Sequence, residues 1–97
     1  METFDKIRHW ATERQIFLNA TPEKQFLKLL EEIGELSEGM QKKDEVEIKD
    51  AIGDCIVVLT ILSSMYSINV EECINSAYSI IEKRTGKIVN GVFVKDN

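Results

Sequence analysis

The first stretch with apolar residues at helical spacing begins after Thr3, a good N-cap residue. We expect it to form a helix that continues to about Ile16 or Phe17, followed by a connector at Asn19 and Ala20. Its apolar side carries Phe4, Ile7, Trp10 and Ala11.

The second stretch has the clearest start in the sequence. Thr21, Pro22 and Glu23 supply an N-cap residue, a proline suited to the first helical position and an acidic first turn, which predicts a helix to about Lys42. One side of it carries Phe26, Leu29, Leu30, Ile33, Leu36 and Met40, and the other Lys28, Glu31, Glu35 and Glu38. Glu32 lies at the border, where its side chain can lean toward a neighbouring helix.

A third helix is predicted from about Asp44 to Ser67, and its second half is the most apolar part of the chain. Residues 55–62 are almost wholly apolar, so this segment must be covered on all sides. One small chain covers it poorly, whereas two copies packed together cover it well. We therefore expect an obligate homo-oligomer, a dimer or a dimer of dimers.

A fourth amphipathic helix follows Asn69, which with Glu72 makes a variant of the capping box, and is expected to end near Arg84 with Gly86 as its C-terminal stop. Its apolar residues are Val70, Cys73, Ile74, Ala77, Tyr78 and Ile81. The tail, residues 87–97, contains a short segment, residues 89–94, that we expect to form a turn or a small strand. The pattern predicts an all-α fold of four helices and a short C-terminal tail in a single domain, residues 1–97.

Composition narrows the class of protein. The chain has a net charge of −5, and its twelve lysines and arginines form no basic block, which argues against binding to a nucleic-acid polymer. It lacks an apolar stretch long enough for a membrane span and an N-terminal signal region, so we expect a cytoplasmic protein without membrane contact. Cys55 and Cys73 lie in apolar helical patterns without metal-site spacing and are expected to be buried, reduced thiols.

Two carboxylate clusters are the strongest chemical feature. Glu32 and Glu35 on the second helix, with Asp50 and Asp54 on the third, offer hard oxygen ligands that suit Mg²⁺ or Mn²⁺ rather than zinc. The alternative is that the glutamates simply form a solvated acidic helix face. This alternative does not account well for Asp54, which lies next to the apolar run. Interior glycines beside both clusters, at 34 and 53, suggest close approach of another group.

The order Glu31-Glu32-x-x-Glu35, then Gly53-Asp54 on an apolar helix, resembles the MazG-type nucleoside triphosphate pyrophosphohydrolases of the all-α NTP pyrophosphatase superfamily. The resemblance extends from about residue 22 to residue 95. It implies a MazG-like four-helix domain completed by homo-oligomerisation. There is one departure: the family usually places a glutamate three residues before the last aspartate, where this chain has Ala51.

Asp50 is expected to substitute for the missing ligand, because it shares a helix face with Asp54 at a spacing of four residues. The aspartate side chain is one methylene shorter than glutamate. Either the metal shifts toward it, or Glu47 contributes through a water molecule.

The resemblance implies Mg²⁺-dependent cleavage of a nucleoside or deoxynucleoside triphosphate to the monophosphate and pyrophosphate, in nucleotide-pool housekeeping. Glu31 or Glu32 is the candidate base for the attacking water. Three basic residues are candidates for binding the phosphates, the alternative being ordinary surface cations: Lys28, Lys83 and Arg84. Three tail residues could close over a nucleotide: Lys87, Asn90 and Lys95.

Two alternatives remain open. Trp10, Phe17 and Asn19 either form a base pocket or, as their spacing favours for the two aromatic residues, belong to the core. The whole chain is either an enzyme or a non-catalytic helical module that binds a nucleotide or a metal, or only dimerises.

Overall fold

The computed structural model describes residues 2–97 and contains five helices and one β-hairpin. Their bounds are α1 Glu2–Glu13, α2 Ile16–Asn19, α3 Pro22–Lys42, α4 Glu45–Met65, α5 Val70–Ile81, β1 Gly86–Val89 and β2 Val92–Lys95. The prediction of an all-α fold is confirmed, because the hairpin is a minor addition at the C-terminal end.

The first predicted helix is broken in two, so the prediction of four helices was wrong by one short element. α1 ends at Glu13, and Gln15 adopts the left-handed conformation with φ of 56°. The carbonyl of Gln15 then accepts hydrogen bonds from the N–H groups of Leu18 and Asn19, which begins the one-turn helix α2. Apolar spacing continues across this break, and the pattern alone therefore did not reveal it.

α3 and α4 form a helical hairpin, and their boundaries match the prediction closely. The hydroxyl of Thr21 accepts a hydrogen bond from Lys24 N at 3.2 Å and caps α3. Asp44 caps α4 by accepting from the N–H groups of Val46 and Glu47. The helices approach closely at Gly39, where an added Cβ would lie 3.2 Å from Glu47 Cγ.

α4 is the central helix, since it contacts α1, α3 and α5. The buried residues of the chain lie mainly along it and on the surfaces that face it: Ala11, Glu32, Gly39, Ala51, Val58, Thr60, Ile61 and Val70. Large apolar side chains remain exposed on the outer sides of α3 and α4, among them Phe26, Leu30, Ile33, Met40, Ile52, Ile56 and Leu59. A single copy thus leaves much of the predicted apolar surface uncovered.

α5 ends at Ile81, three residues before the predicted end at Arg84, and Gly86 is not its C-terminal stop. Gly86 is the first residue of β1 and pairs with Lys95, and a Cβ there would lie 2.3 Å from the carbonyl oxygen of Val94. The close pairing of the two strands therefore requires glycine. The hairpin turn consists of Asn90 and Gly91, both with positive φ as a type I′ turn requires.

α1 is fastened to α5 by a bidentate ion pair. Arg8 Nη1 and Nη2 donate to the two carboxylate oxygens of Glu71, each at 2.7 Å. Arg8 also donates to Asp5 at 2.6 Å on its own helix. This pair fixes the N-terminal helix across α4 and thereby sets the position of Trp10.

Both cysteines are free thiols, but the expectation that both are buried was wrong for Cys73. Cys55 is half-buried on α4, whereas Cys73 is exposed because α5 is largely open to solvent. Within residues 2–97 no single helix is long and apolar enough to cross a membrane; only α4 and α5 taken together, with a bend of 103° between them, meet the length and composition criteria.

Candidate metal centre

Three carboxylates from two helices converge at one point of the α3–α4 hairpin. Glu32, Glu35 and Asp54 each offer an oxygen, and these oxygens lie within 4.8 Å of one another. Glu32 and Glu35 are one turn apart on α3, and Asp54 faces them from α4. This is the one group of at least three potential metal-ligating side chains found among residues 2–97.

Glu32 is the buried member of the cluster, with 5% of its surface exposed. Its Oε1 lies 3.2 Å from Lys28 Nζ, one helical turn away, while its Oε2 is buried with no hydrogen-bond partner among residues 2–97. A buried carboxylate oxygen without a partner is costly, and a bound cation removes that cost. The donor set therefore fits a hard divalent cation such as Mg²⁺.

The electrostatics of the cluster support the same interpretation. Burial, followed by the negative charges of Glu32 and Asp50, raises the pKa of Asp54. The pKa of Glu35 is raised first because its carboxyl can share a proton with Glu32, and next by the charge of Glu32. The pKa of Lys28 is raised, mainly by its hydrogen bond to Glu32. Carboxylates whose ionisation is opposed by their neighbours gain when a cation is bound among them.

Asp50 lies on the same helix as Asp54 but is not a member of the cluster. It lines a neighbouring cavity of about 500 Å³ that lies between α1 and α4, together with Phe4, Gly53 and Asp54. Ala51, the position where the resemblance implies a glutamate, is 2% exposed. The three-carboxylate cluster thus forms without a fourth ligand, and the role of Asp50 stays a prediction.

Glu31 lies just outside the cluster, on the exposed side of α3. Its side chain is 61% exposed, and Oε1 lies 3.6 Å from Lys28 Nζ. Lys28 is therefore shared between the two candidate bases, Glu31 and Glu32. Glu31 keeps access to solvent, whereas Glu32 faces the other carboxylates.

The predicted substrate-binding residues of the C-terminal region lie on a different part of the chain. Lys83 and Arg84 follow α5, and Asn90 forms the hairpin turn. All three are exposed, and none lines the cavities described beside Asp54. A single copy of the chain does not bring them to the carboxylate cluster, and their role in substrate binding also stays a prediction.

The glycines beside the clusters, Gly34 and Gly53, are not approached closely by other atoms of residues 2–97. At Gly34 and Gly53 an added Cβ would meet nothing within 4 Å. The expectation of tightly approached sites at these glycines is therefore not met by any contact within residues 2–97.

A residue missed in the sequence is Gln25. It lines a cavity of about 340 Å³ together with Trp10, Lys28, Glu32 and Asp54. Gln25 lies seven residues before Glu32 on α3, so both side chains are on one helix face. This spacing could have indicated that Gln25 lies near the carboxylates. Two other residues considered for a base pocket, at positions 17 and 19, do not line this cavity.

Comparison with known proteins identifies a family and a longer relative that matches over part of its length. The model of the MazG nucleotide pyrophosphohydrolase domain matches residues 20–89. An uncharacterised 18.2 kDa protein from the rep–hol intergenic region of Haemophilus phage HP1 is 48% identical over 63 residues, which is 65% of this chain. The matched region is 39% of that relative's length. No solved structure matches the chain with significance. The carboxylate cluster lies within the matched segment, and the chain belongs to the MazG nucleotide pyrophosphohydrolase domain family.

Proposed function

We propose that the protein hydrolyses nucleoside or deoxynucleoside triphosphates to the monophosphate and pyrophosphate with Mg²⁺ as cofactor, Mn²⁺ being an alternative. Membership of the family supports the reaction class. The observation that carries the proposal for this chain is the buried Oε2 of Glu32, which lacks a partner in the described part of the chain and lies beside Glu35 and Asp54. These three residues would hold the metal.

When bound, a divalent cation supplies charge neutralisation on phosphate oxygens and lowers the pKa of a coordinated water. The chain's own residues do the rest. Lys28 orients Glu32 and presents an ammonium group toward the same cavity, where a phosphate oxygen can be held. Glu31 is the base that the geometry supports better than Glu32, because it stands outside the metal-binding cluster and can accept a proton from water.

We also propose that the active form is a homo-oligomer, a dimer or a dimer of dimers. The support is the exposed apolar outer side of α3 and α4, on which Leu30, Ile33 and Ile56 are between 42% and 48% exposed. Patches of this kind mark interaction surfaces. In an assembly, residues such as Lys83 and Arg84 of one copy are free to reach the carboxylate cluster of another.

The proposed setting is nucleotide-pool housekeeping in the cytoplasm by a chain that folds as one domain. The substrate is the free nucleotide rather than a nucleic-acid polymer, because the net charge of −5 repels a polyanion. No membrane contact forms part of the proposal. The test is the release of pyrophosphate and monophosphate from a triphosphate by the purified protein with Mg²⁺.

A second candidate is a non-catalytic module that binds a nucleotide or a metal. One observation favours it: Ala51 stands where the family has a carboxylate and is buried, so the ligand set is smaller than usual. This candidate predicts ligand-induced thermal stabilisation without turnover. A thermal-shift measurement run beside the pyrophosphate assay separates the two.

A further inference from the structure

A cavity beside the carboxylate cluster has the composition of a site for a planar aromatic group. Its volume is about 340 Å³, within the range of small-ligand sites. Lys28 and two members of the cluster, Glu32 and Asp54, supply charged groups to its lining. The remaining wall includes Trp10, Gln25 and apolar side chains of α4.

Trp10 is not a core residue. It is 44% exposed, and it borders this cavity and a second one of about 420 Å³ that also contains Asp54. The guanidinium carbon of Arg14 lies 4.6 Å from the centroid of its ring. Arg14 follows the last residue of α1, and its cation holds the half-exposed indole in place while part of the ring stays open to solvent.

Gln25 is the polar group on the apolar wall. It is half-buried on α3, seven residues before Glu32 on the same helix face. Its side chain makes no hydrogen bond or ion pair within residues 2–97. Its amide can both donate and accept, which is what recognition of the edge of a nucleobase requires.

α1 lies outside the family match, which begins at residue 20. Trp10 lies on this N-terminal helix, and the ion pair between Arg8 and Glu71 fixes the helix in position. We propose that Trp10 stacks the nucleobase of the substrate and that Gln25 reads its edge, while the phosphates lie at Lys28 and the carboxylate cluster. This rests on the proposed function and adds to it the residues that select the base.

The chain has one tryptophan, so its fluorescence reports on Trp10 alone. The wild-type protein with Mg²⁺ is titrated with α,β-methylene analogues of the nucleoside triphosphates, which block cleavage, and with inorganic tripolyphosphate, which has no base. Free N-acetyltryptophanamide corrects for absorption by the nucleotides. We expect saturable quenching by the nucleotide analogues, and no quenching by tripolyphosphate even though it displaces them.

Three results overturn the inference. They are quenching by tripolyphosphate equal to that by the nucleotides, nucleotide binding detected by calorimetry without quenching, and no binding of any nucleotide. If pyrophosphate is never released but quenching occurs, the proposed reaction fails and the base site stands. If pyrophosphate is released but Trp10 does not respond, only the base site fails.

Substitution gives a second, kinetic readout. Loss of one base-stacking side chain reduces binding by about 5- to 150-fold, so Trp10→Ala should raise KM by that factor with little change in kcat. Trp10→Phe keeps an aromatic face and should restore most of the affinity. An equal KM for both variants and the wild type contradicts the inference.

Gln25→Leu should change the ratio of kcat/KM values between different bases, because an edge contact discriminates among them. The matched control is Gln41→Leu, since Gln41 is an exposed glutamine further along α3 that bonds only locally to Ser37. The control should leave the ratio unchanged. Unchanged ratios in both variants contradict the assignment of Gln25.

Discussion

Lys28 and Glu32 lie one turn apart on α3, with Nζ and Oε1 separated by 3.2 Å, and the other oxygen of the same carboxylate is buried without a partner from the residues that the structure describes. Lys28 is half-exposed, so this ion pair satisfies only one side of a buried group. The unsatisfied side faces Glu35 and Asp54. Without a cation, this arrangement lowers the stability of the fold, because a buried carboxylate is left only partly compensated. A bound cation would remove that cost at the site where the proposed reaction takes place.

Glu32→Gln should abolish most metal binding without unfolding the protein. The substitution removes a ligand charge but also removes a buried, partly unpaired carboxylate, so the metal-free stability should stay within about 1 kcal/mol of the wild type. Calorimetric titration with Mn²⁺ and urea unfolding measure the two quantities. The control is Glu38→Gln on the exposed part of α3, which should bind metal as the wild type does. Unchanged metal affinity in Glu32→Gln contradicts the assignment.

Asp50→Asn should weaken metal binding far less than Asp54→Asn does. Asp50 stands outside the three-carboxylate cluster and acts on it through its charge, which raises the pKa of Asp54. We expect an affinity within a few-fold of wild type for Asp50→Asn, against a loss of at least about tenfold for Asp54→Asn. Equal losses in the two variants would show that Asp50 fills the position left by Ala51.

The sequence predicted the scaffold well where local signals agree with packing. Thr21 and Pro22 fix the start of α3, and Asp44 caps α4, because capping chemistry acts within one turn of the chain. The break at Gln15 was not predictable, because the left-handed residue there is a glutamine and no glycine or proline marks it. Gly86 was misassigned because a glycine near a helix end looks the same whether it stops the helix or allows close strand pairing.

Three of the four carboxylates predicted as metal ligands lie together, whereas Asp50 lies outside the cluster and the environment of the site was not predicted. The spacing of Glu32, Glu35 and Asp54 placed them on facing helices, which the structure shows. Helical periodicity put Glu32 at a border, whereas its burial depends on the angle at which α4 packs over α3. Gln25 was missed for the same reason, since its meeting with Trp10 is a tertiary contact between distant segments.

The ion pair between α1 and α5 should make stability depend on pH in the acid range. Hydrogen bonds from Arg8, followed by a bond to its own backbone, lower the pKa of Glu71 from 4.5 to about 2. A carboxyl with a lowered pKa in the folded state stabilises the fold above the unfolded pKa, and this contribution is lost as the pH falls from about 4.5 toward 2.

Glu71→Gln is the test of this pH dependence. The difference in free energy of unfolding between wild type and variant should be largest near neutral pH and should shrink as the pH falls below 4.5. Denaturant unfolding at a series of pH values measures it. Glu72→Gln on the exposed side of α5 is the control. A difference that stays constant across the acid range contradicts the pairing.

A charge on the outer side of α3 should dissociate the proposed oligomer. Ile33 is 47% exposed in one copy, so Ile33→Glu costs a single chain little but places a carboxylate in an apolar interface. Sedimentation equilibrium should give the monomer mass for the variant and a multiple of it for the wild type. The control is Val46→Glu, at a residue that is 72% exposed near the start of α4. A wild-type protein that is monomeric at all concentrations rules out the assembly.

The most direct test of the proposed reaction is to follow pyrophosphate during incubation of the purified protein with each common ribo- and deoxyribonucleoside triphosphate and Mg²⁺. We predict equal amounts of pyrophosphate and monophosphate from at least one nucleotide, none after chelation of the metal, and none from the folded Glu35→Gln and Asp54→Asn variants. Failure of the folded wild-type protein to release pyrophosphate from any of them, or activity that persists in both variants, would contradict the account.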